Sequence, residues 1–314
     1  MSYFFKGLSS LRPISNSYFN YNRLGLNDLN CIQTRGFGSG DIQAVAARIK
    51  SVKSIQKITK AMKMVAASKL RADQRRLEIG RPFSQPSQDV LNLLPISTTE
   101  TGHKDTALVI MASDKGLCGG INSSVAKATR NLLQNVDSQS SAYSLYVIGE
   151  KARSALQRNY QKMFKNVFTE LTKTPFNYAK AAYIAELLRN GNHDNIKIIY
   201  NHFKSVISYE TQVLDVLTWK QYSLMNKREL NVFETEPDIG KFYPDFYEFY
   251  LTSCIYGCML DSLASEQSAR MSAMDNASSN ATDMLSKLTL KYNRARQSKI
   301  TLELIEIISG ANAL

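Results

Sequence analysis

The sequence predicts an α/β protein in which the N- and C-terminal helices form a long antiparallel coiled coil that carries an inserted α/β domain. Two long stretches with helical periodicity lie at the ends of the 314-residue chain, and short apolar runs alternate with amphipathic segments between them. Such alternation is typical of a mostly parallel sheet covered by helices. No apolar run in the sequence is long enough to span a bilayer.

The N-terminal long helix is predicted over residues 41–95, with Asp41 as its N-cap. Its apolar residues recur at spacings of three and four, first at Ile42, Val45, Ile49 and Val52 and then, after a change of phase, at Ile55, Ile58, Met62 and Val65. We interpret these residues as one apolar stripe. No Gly or Pro interrupts the pattern before Gly80 and Pro82, and so long a helix requires a long partner.

The C-terminal long helix, predicted over residues 245–314, supplies that partner. One glycine, Gly257, and no proline occur between residues 245 and 309. An approximate three-four rhythm is kept by Met274, Ala277, Ala281, Met284, Leu288, Tyr292, Ala295, Leu302 and Ile305. Small residues between 269 and 281 allow two helices to approach closely. We therefore predict an antiparallel pair, with two separate helices in a bundle as the alternative.

The inserted α/β domain is predicted over residues 105–220. Strands are expected at 105–112, 144–149 and 195–201, helices near 121–135, 150–160 and 177–190, and a further strand, an antiparallel edge, within 205–218. Residues 221–244 are expected to form a loop that leads into the C-terminal helix.

The net charge of +12 indicates an acidic partner. Residues 1–36 contain four basic residues, one acid and no long apolar segment, which predicts an organellar transit peptide or a disordered tail. Between residues 57 and 76, seven Lys or Arg accompany a single acid, Asp73. A basic coiled coil that binds nucleic acid is the alternative to a protein partner. Against it, the basic stretch 57–76 has no aromatic residue on which bases could stack, and the sequence has no helix-turn-helix or zinc-finger motif.

The residues that usually carry chemistry are scattered. Cys31, Cys118, Cys254 and Cys258 fit neither a disulfide framework nor a metal site, and His103, His193 and His202 are expected at surface or loop positions. The sequence therefore predicts no catalytic site, metal or cofactor.

The segment SDKGLCGGIN (113–122) follows a strand and opens a helix, where phosphate-binding loops lie. It lacks the pattern of a phosphate loop because Lys115 precedes the glycines. We expect a tight surface turn, with Asp114, Lys115 and Asn122 free to contact another protein. A nucleotide-binding α/β enzyme remains the second alternative.

Three motifs together resemble the gamma subunits of F-type ATP synthases: IKSVKSIQKITKAMKMVAASKLR (49–71), SDKGLCGGIN (113–122) and YNRARQSKITLELIEIISGANAL (292–314). The resemblance implies a coiled coil that turns inside a ring of three alpha and three beta subunits. It implies that the Rossmann-like domain lies at the foot, against the small delta and epsilon subunits and the membrane c-ring. It further implies a non-catalytic rotor that couples proton flow to changes in the catalytic beta subunits, without a cofactor, on the matrix side of the mitochondrial inner membrane.

The resemblance also implies which residues make contacts. Beta-subunit contacts fall on Lys57, Lys60, Met62 and Lys63 of the N-terminal helix and on Arg296, Gln297, Thr301 and Glu303 of the C-terminal helix. Lys63 departs from the family pattern, because many members carry an acid there. The contact loop of the foot domain comprises Asp114, Lys115, Gly116, Gly119, Gly120 and Asn122. The terminal IISGANAL suits rotation inside an apolar sleeve.

Overall fold

The structure is a computed structural model that describes residues 39–92, 105–134, 143–223, 236 and 239–312. The predicted transit peptide, Cys31 and His103 lie outside the described residues, as does most of the predicted connecting loop. The chain divides into two compact units, a larger one of Ala46–Leu290 and a smaller one that combines the two ends of the chain.

Two long helices dominate the described residues, α1 (Ser39–Asn92) and α6 (Ile239–Asn312). Helix α1 begins two residues before Asp41, so Asp41 lies in its first turn rather than at its N-cap. It continues through Gly80, Pro82 and Pro86. Helix α6 begins six residues before the predicted start at 245 and includes Pro244.

Within the larger unit, α1 and α6 pair in antiparallel orientation. Gln56 Nε2 donates to Thr282 Oγ1 at 2.7 Å, and Lys63 Nζ contacts Asp275 Oδ1 at 2.6 Å. Seven residues forward on α1 thus correspond to seven residues back on α6. Buried residues on α1 also repeat every seven positions, at Val52, Thr59 and Ala66 and at Leu70, Leu77, Ser84 and Leu91. This heptad repeat is that of a left-handed coiled coil, and the predicted coiled coil is confirmed.

The apolar stripe predicted on α1 is partly wrong. After Val52, the next buried residue on α1 is Thr59. Ile55, Ile58 and Val65 are instead 51%, 57% and 58% exposed. The apparent change of phase marks a second apolar surface on the outer side of the helix, here called the outer stripe (Ile55, Ile58 and Val65). Three residues predicted for the stripe of α6 are likewise exposed, namely Met284, Leu302 and Ile305.

The inserted domain contains a five-stranded sheet. Its elements are β1 (Thr106–Met111), α2 (Ile121–Gln134), β2 (Tyr143–Ile148), α3 (Glu150–Tyr160), a 3₁₀ turn (Gln161–Met163), β3 (Phe164–Phe168), α4 (Tyr178–Asn190), β4 (Asn195–Phe203), β5 (Tyr209–Val216) and α5 (Trp219–Ser223). The strand order is β3-β2-β1-β4-β5. All neighbours are parallel except β4 and β5, so the predicted antiparallel edge is confirmed. Strand β3 was not predicted, because it is a short edge strand with no buried residue.

The sheet has an apolar core on each face. Leu108 and Ile110 of β1 pack with residues of α2 and α3, whereas Val109 and Met111 pack with residues of α4 and α6. Helix α6 contributes Leu251, Cys254 and Ile255 to the second core. The N-terminal half of α6 therefore covers the sheet, and its later residues pair with α1.

Candidate interaction surfaces

The described residues contain no cluster of His, Cys, Asp and Glu that could hold a metal ion. Cys254 and Cys258 are buried free thiols, and burial raises the pKa of Cys254 to about 12. A thiol with so high a pKa is a poor nucleophile and a poor ligand at neutral pH. Among the helices that the structure describes, none is long and apolar enough to cross a membrane.

The histidines were only partly predicted. His193 lies in a loop but is buried, with Tyr146 Oη 2.9 Å from its Nε2 and Asp105 Oδ2 2.8 Å from its Nδ1. His202 lies in β4, against Asp261 of α6. The Asp105–His193–Tyr146 chain resembles a catalytic triad, but Tyr146 is 1% exposed. Its hydroxyl therefore has no access to a substrate, and the chain of hydrogen bonds stabilises the fold.

The outer surface of α1 combines basic and apolar side chains. Lys57 and Lys60 are exposed, and Met62 is half-buried. Lys63 differs from them because its ammonium group contacts Asp275 of α6. Lys57 and Lys60 are therefore available to a partner, whereas Lys63 also links the two helices of the coiled coil.

The C-terminal end of α6 is exposed on all sides. Arg296 and Gln297 are exposed, Thr301 Oγ1 donates to the Gln297 carbonyl at 3.0 Å, and Lys299 Nζ lies 3.5 Å from Glu303 Oε1. Every residue from 301 to 312 is exposed, including Leu302, Leu304, Ile305, Ile307 and Ile308. Apolar side chains cover most of this end, with Glu303 and Glu306 on one side, and so large an exposed apolar surface is typical of a segment that another surface covers.

The loop after β1 is held by its own polar side chains. Asn122 Oδ1 accepts from the Ser113 N–H at 3.0 Å, and Asn122 Nδ2 donates to Ser113 Oγ at 2.8 Å. Asp114 accepts from the Glu150 N–H at 3.2 Å and from the Glu170 N–H at 3.1 Å. The prediction that Asp114 and Asn122 are free is therefore wrong, because both side chains fix the loop.

The same loop packs against α6. Cys118 and Ile121 are buried with Ala269 of α6. Gly119 has a φ of 64°, and a Cβ atom there would lie 3.9 Å from the Ala273 Cβ. The side chains of Lys115 and Leu117 are exposed. Cys118 and Ile121 therefore face α6 of their own chain, whereas Lys115 and Leu117 face solvent.

Helix α6 also occupies the place where doubly wound sheets hold ligands. That place is the crevice at the carboxyl ends of the strands where the strand order reverses, which here is between β1 and β4. Met259, Ser262 and Leu263 of α6 lie over it, and the remaining cavity is about 10 Å³. Such a space holds about one water molecule. A nucleotide does not fit, which argues against the nucleotide-binding alternative.

Sequence reasoning missed the residues that join this crevice to the coiled coil. Asp261 of α6 contacts Arg81 of α1 at 2.9 Å and His202 of β4 at 3.1 Å. One signal was present in the sequence, because Asp261 is the one charged residue in the long segment from 249 to 265. A lone charge in a largely buried segment indicates a specific partner.

Comparison with known proteins gives one consistent result. A family model described as ATP synthase matches residues 41–314. The chain is similar to the mitochondrial ATP synthase subunit gamma of Arabidopsis thaliana, at 43% identity over 89% of this chain and 87% of the relative. It is also similar to the mitochondrial ATP synthase F(1) complex subunit gamma of Rattus norvegicus, at 40% identity over 87% and 99%. A chain in the central stalk and c-ring structure of the Tetrahymena thermophila mitochondrial ATP synthase matches with a TM-score of 0.60 and 36% identity, over 70% of this chain and 99% of that chain.

Proposed function

The chain belongs to the gamma-subunit family of the ATP synthases, and from this premise we propose that it is the central-stalk rotor of an F-type ATP synthase. In this role it couples proton flow through a membrane c-ring to conformational changes in the catalytic beta subunits. ATP chemistry takes place in the beta subunits, so the chain is a non-catalytic part of the enzyme.

The observation that carries the proposal is the family match over residues 41–314, which includes both long helices and the inserted domain. The geometry of the larger unit suits a shaft. Two helices that interlock at heptad spacing resist bending better than one helix does, and α6 is continuous with the core of the inserted domain.

The partners in this function are three alpha and three beta subunits, the small delta and epsilon subunits, and the c-ring. The exposed Lys57 and Lys60 suit acidic loops of the beta subunits, and the exposed outer stripe suits apolar ones. Arg296 and Gln297 suit a second beta-subunit contact, because the guanidinium group can donate two hydrogen bonds to one carboxylate. Thr301 and Glu303 flank that contact, and Met62 and Lys63 lie beside the first.

The loop after β1 has a smaller part in this proposal than the resemblance implied. Its exposed residues Lys115, Gly119 and Gly120 remain candidates for a contact with another subunit, together with the half-buried Gly116. Asp114 and Asn122 act indirectly, by holding the loop in shape.

We infer that the protein works at the matrix side of the mitochondrial inner membrane and associates with that membrane only through the complex. Mitochondrial relatives and a family match that begins at residue 41 support this inference. Residues 1–36 are then the transit peptide. No observation favours the nucleic-acid alternative.

Native purification of the tagged full-length chain, followed by mass spectrometry, tests the function. We expect alpha and beta subunits to co-isolate at three copies each per chain, and the association to survive nuclease treatment. A chain that isolates without them and instead retains RNA or DNA, with an affinity that falls steeply with salt, would refute the proposal.

A further inference from the structure

We propose that Asp261 locks the inserted domain to the two-helix shaft, so that torque applied to the domain reaches both helices. The inference rests on the proposed rotor function and concerns the joint through which that function must act. The joint lies where α6 fills the ligand crevice of the sheet.

The end of β4 extends beyond its neighbour. Strand β1 pairs with β4 only as far as Ile199, although β4 continues to Phe203. Serines of α6 bind the backbone that lies beyond β1. Ser262 Oγ accepts from the Asn201 N–H at 3.3 Å, Ser265 Oγ donates to the Asn201 carbonyl at 3.1 Å, and Ser268 Oγ donates to the Val206 carbonyl. Helix α6 thus takes the place of a neighbouring strand.

Asp261 joins three elements at one carboxylate. Its Oδ1 accepts from the Phe203 N–H at 3.4 Å and from Arg81 Nη2 at 2.9 Å, and its Oδ2 lies 3.1 Å from His202 Nδ1. Arg81 Nη2 also donates to the Phe203 carbonyl at 2.7 Å. The side chain of Asp261 is 11% exposed, so solvent competes little for these bonds. Helix α1, helix α6 and strand β4 therefore meet at this group.

Apolar packing surrounds the carboxylate. Phe203 is buried in a cluster with Leu70 and Leu77 of α1 and Leu260 and Ala264 of α6. The two helices approach closely here, because a Cβ atom on Gly80 would overlap the Leu260 side chain and one on Gly257 would lie 2.7 Å from Ser84 Oγ. The end of β4 is thus wedged against both helices of the shaft.

The two kinds of contact resist different movements. Apolar contacts oppose separation, but they are not directional and allow surfaces to slide. Hydrogen bonds weaken steeply when their angle changes. Torque between the domain and the shaft produces sliding, so the directional bonds to Asp261 are the ones that oppose it. Removing its charge leaves the Arg81 guanidinium without its carboxylate partner.

The test compares Asp261→Asn with a matched control, Asp215→Asn, in the complete synthase. Asp215 pairs with Lys197 at 2.6 Å, but it is exposed and both residues belong to the sheet. Three measurements are made: hydrogen exchange at the amides of residues 201–206, proton-driven ATP synthesis, and ATP hydrolysis by the detached head.

For Asp261→Asn we expect unchanged subunit composition, amide exchange at 201–203 about tenfold faster, and coupled synthesis reduced several-fold while hydrolysis by the detached head is retained. The control should match the wild type in all three. If Asp261→Asn does not fold, Arg81→Ala serves as a second variant. It removes the Arg81–Asp261 bond by changing the more exposed partner, and it should give the same three results.

Normal exchange and normal coupled synthesis in a folded variant would overturn the inference, as would equal loss in the control. Failure of the proposed function looks different, because the wild-type chain would then lack alpha and beta subunits. In that case faster exchange in Asp261→Asn would still establish the joint, whereas unchanged exchange would reject it.

Discussion

Replacing Gly80 by Ala tests the closest approach of the two long helices. Gly80 is buried on α1, and an added methyl group would overlap the Leu260 Cδ1 atom. Leu260 is itself only 2% exposed, so its side chain has little room to move. The substitution therefore forces a shift in a packed core.

Two effects of opposite sign determine the magnitude. Alanine stabilises a helix interior by about 0.5–1 kcal/mol relative to glycine. Overpacking a core costs about 1–3 kcal/mol. We expect a net loss of about 1 kcal/mol in the free energy of unfolding. Leu260→Ala alone should cost about 2–5 kcal/mol. The double variant should cost less than the sum of the two single changes, because truncating Leu260 makes room for the added methyl group at position 80, and that methyl group fills part of the cavity.

The free energy of unfolding can be measured by urea titration with fluorescence of the single tryptophan, Trp219, which packs against Tyr247 of α6. Gly310→Ala is the matched control, because no atom lies within 4 Å of its added methyl group and the change should be neutral or slightly stabilising. If Gly80→Ala proves as benign as this control, or if the two single changes are additive, the helices do not meet at Gly80 and the reasoning is refuted.

Three further expectations concern the end of α6, the loop after β1 and one buried carboxyl group. Replacing both Arg296 and Gln297 by Ala should leave the complex assembled but impair coupled synthesis. Each charge-assisted hydrogen bond that is removed should weaken the contact with the beta subunit by about 1.5–3 kcal/mol. Arg296→Lys should restore function only in part, and normal synthesis by the double variant would contradict the proposed contact. Gly119→Val should lower the free energy of unfolding by about 1–2 kcal/mol, because Gly119 has a positive φ. Gly120→Val should lower it little, because the added side chain enters open space. Equal losses of stability in urea titrations would argue against this loop geometry. Burial raises the pKa of Glu266 above its ordinary 4.5, so stability should fall as pH rises from that value through the raised pKa. In Glu266→Gln, stability should depend less on pH over this range. If urea titrations at several pH values give the variant and the wild type the same pH dependence, Glu266 is not the group responsible.

The strands and the coiled coil were predictable because each follows from a local period. The runs at β1, β2 and β4 are apolar and β-branched, and the long helices show helical spacing without early interruption. Strand β3 was missed because an edge strand with half-exposed side chains has no apolar run. Gly80, Pro82 and Pro86 interrupt the helical pattern of the sequence, yet α1 continues through them as the predicted range of 41–95 implies, because contacts with α6 outweigh local propensity.

The surfaces were less predictable, because spacing reveals an apolar face but not what covers it. Ile55, Ile58 and Val65 have the right spacing for the coiled-coil contact, yet the smaller Thr59 and Ala66 form it. Polar residues raised a similar ambiguity. Asp114 and Asn122 look like ligand-binding groups in the sequence, and only the fold shows that they are used by backbone N–H groups of their own chain.

The apolar end of α6 has a consequence for the newly made chain. From Ile300 to Ile308, six large aliphatic side chains are 47–67% exposed around one helix, and such a surface promotes self-association whenever its cover is missing. A chain that folds before its partners arrive is therefore a substrate for chaperones and proteases. We expect the amount that accumulates in a cell to be limited by the supply of the proteins that enclose this end, so surplus copies should aggregate or be degraded while incorporated copies persist.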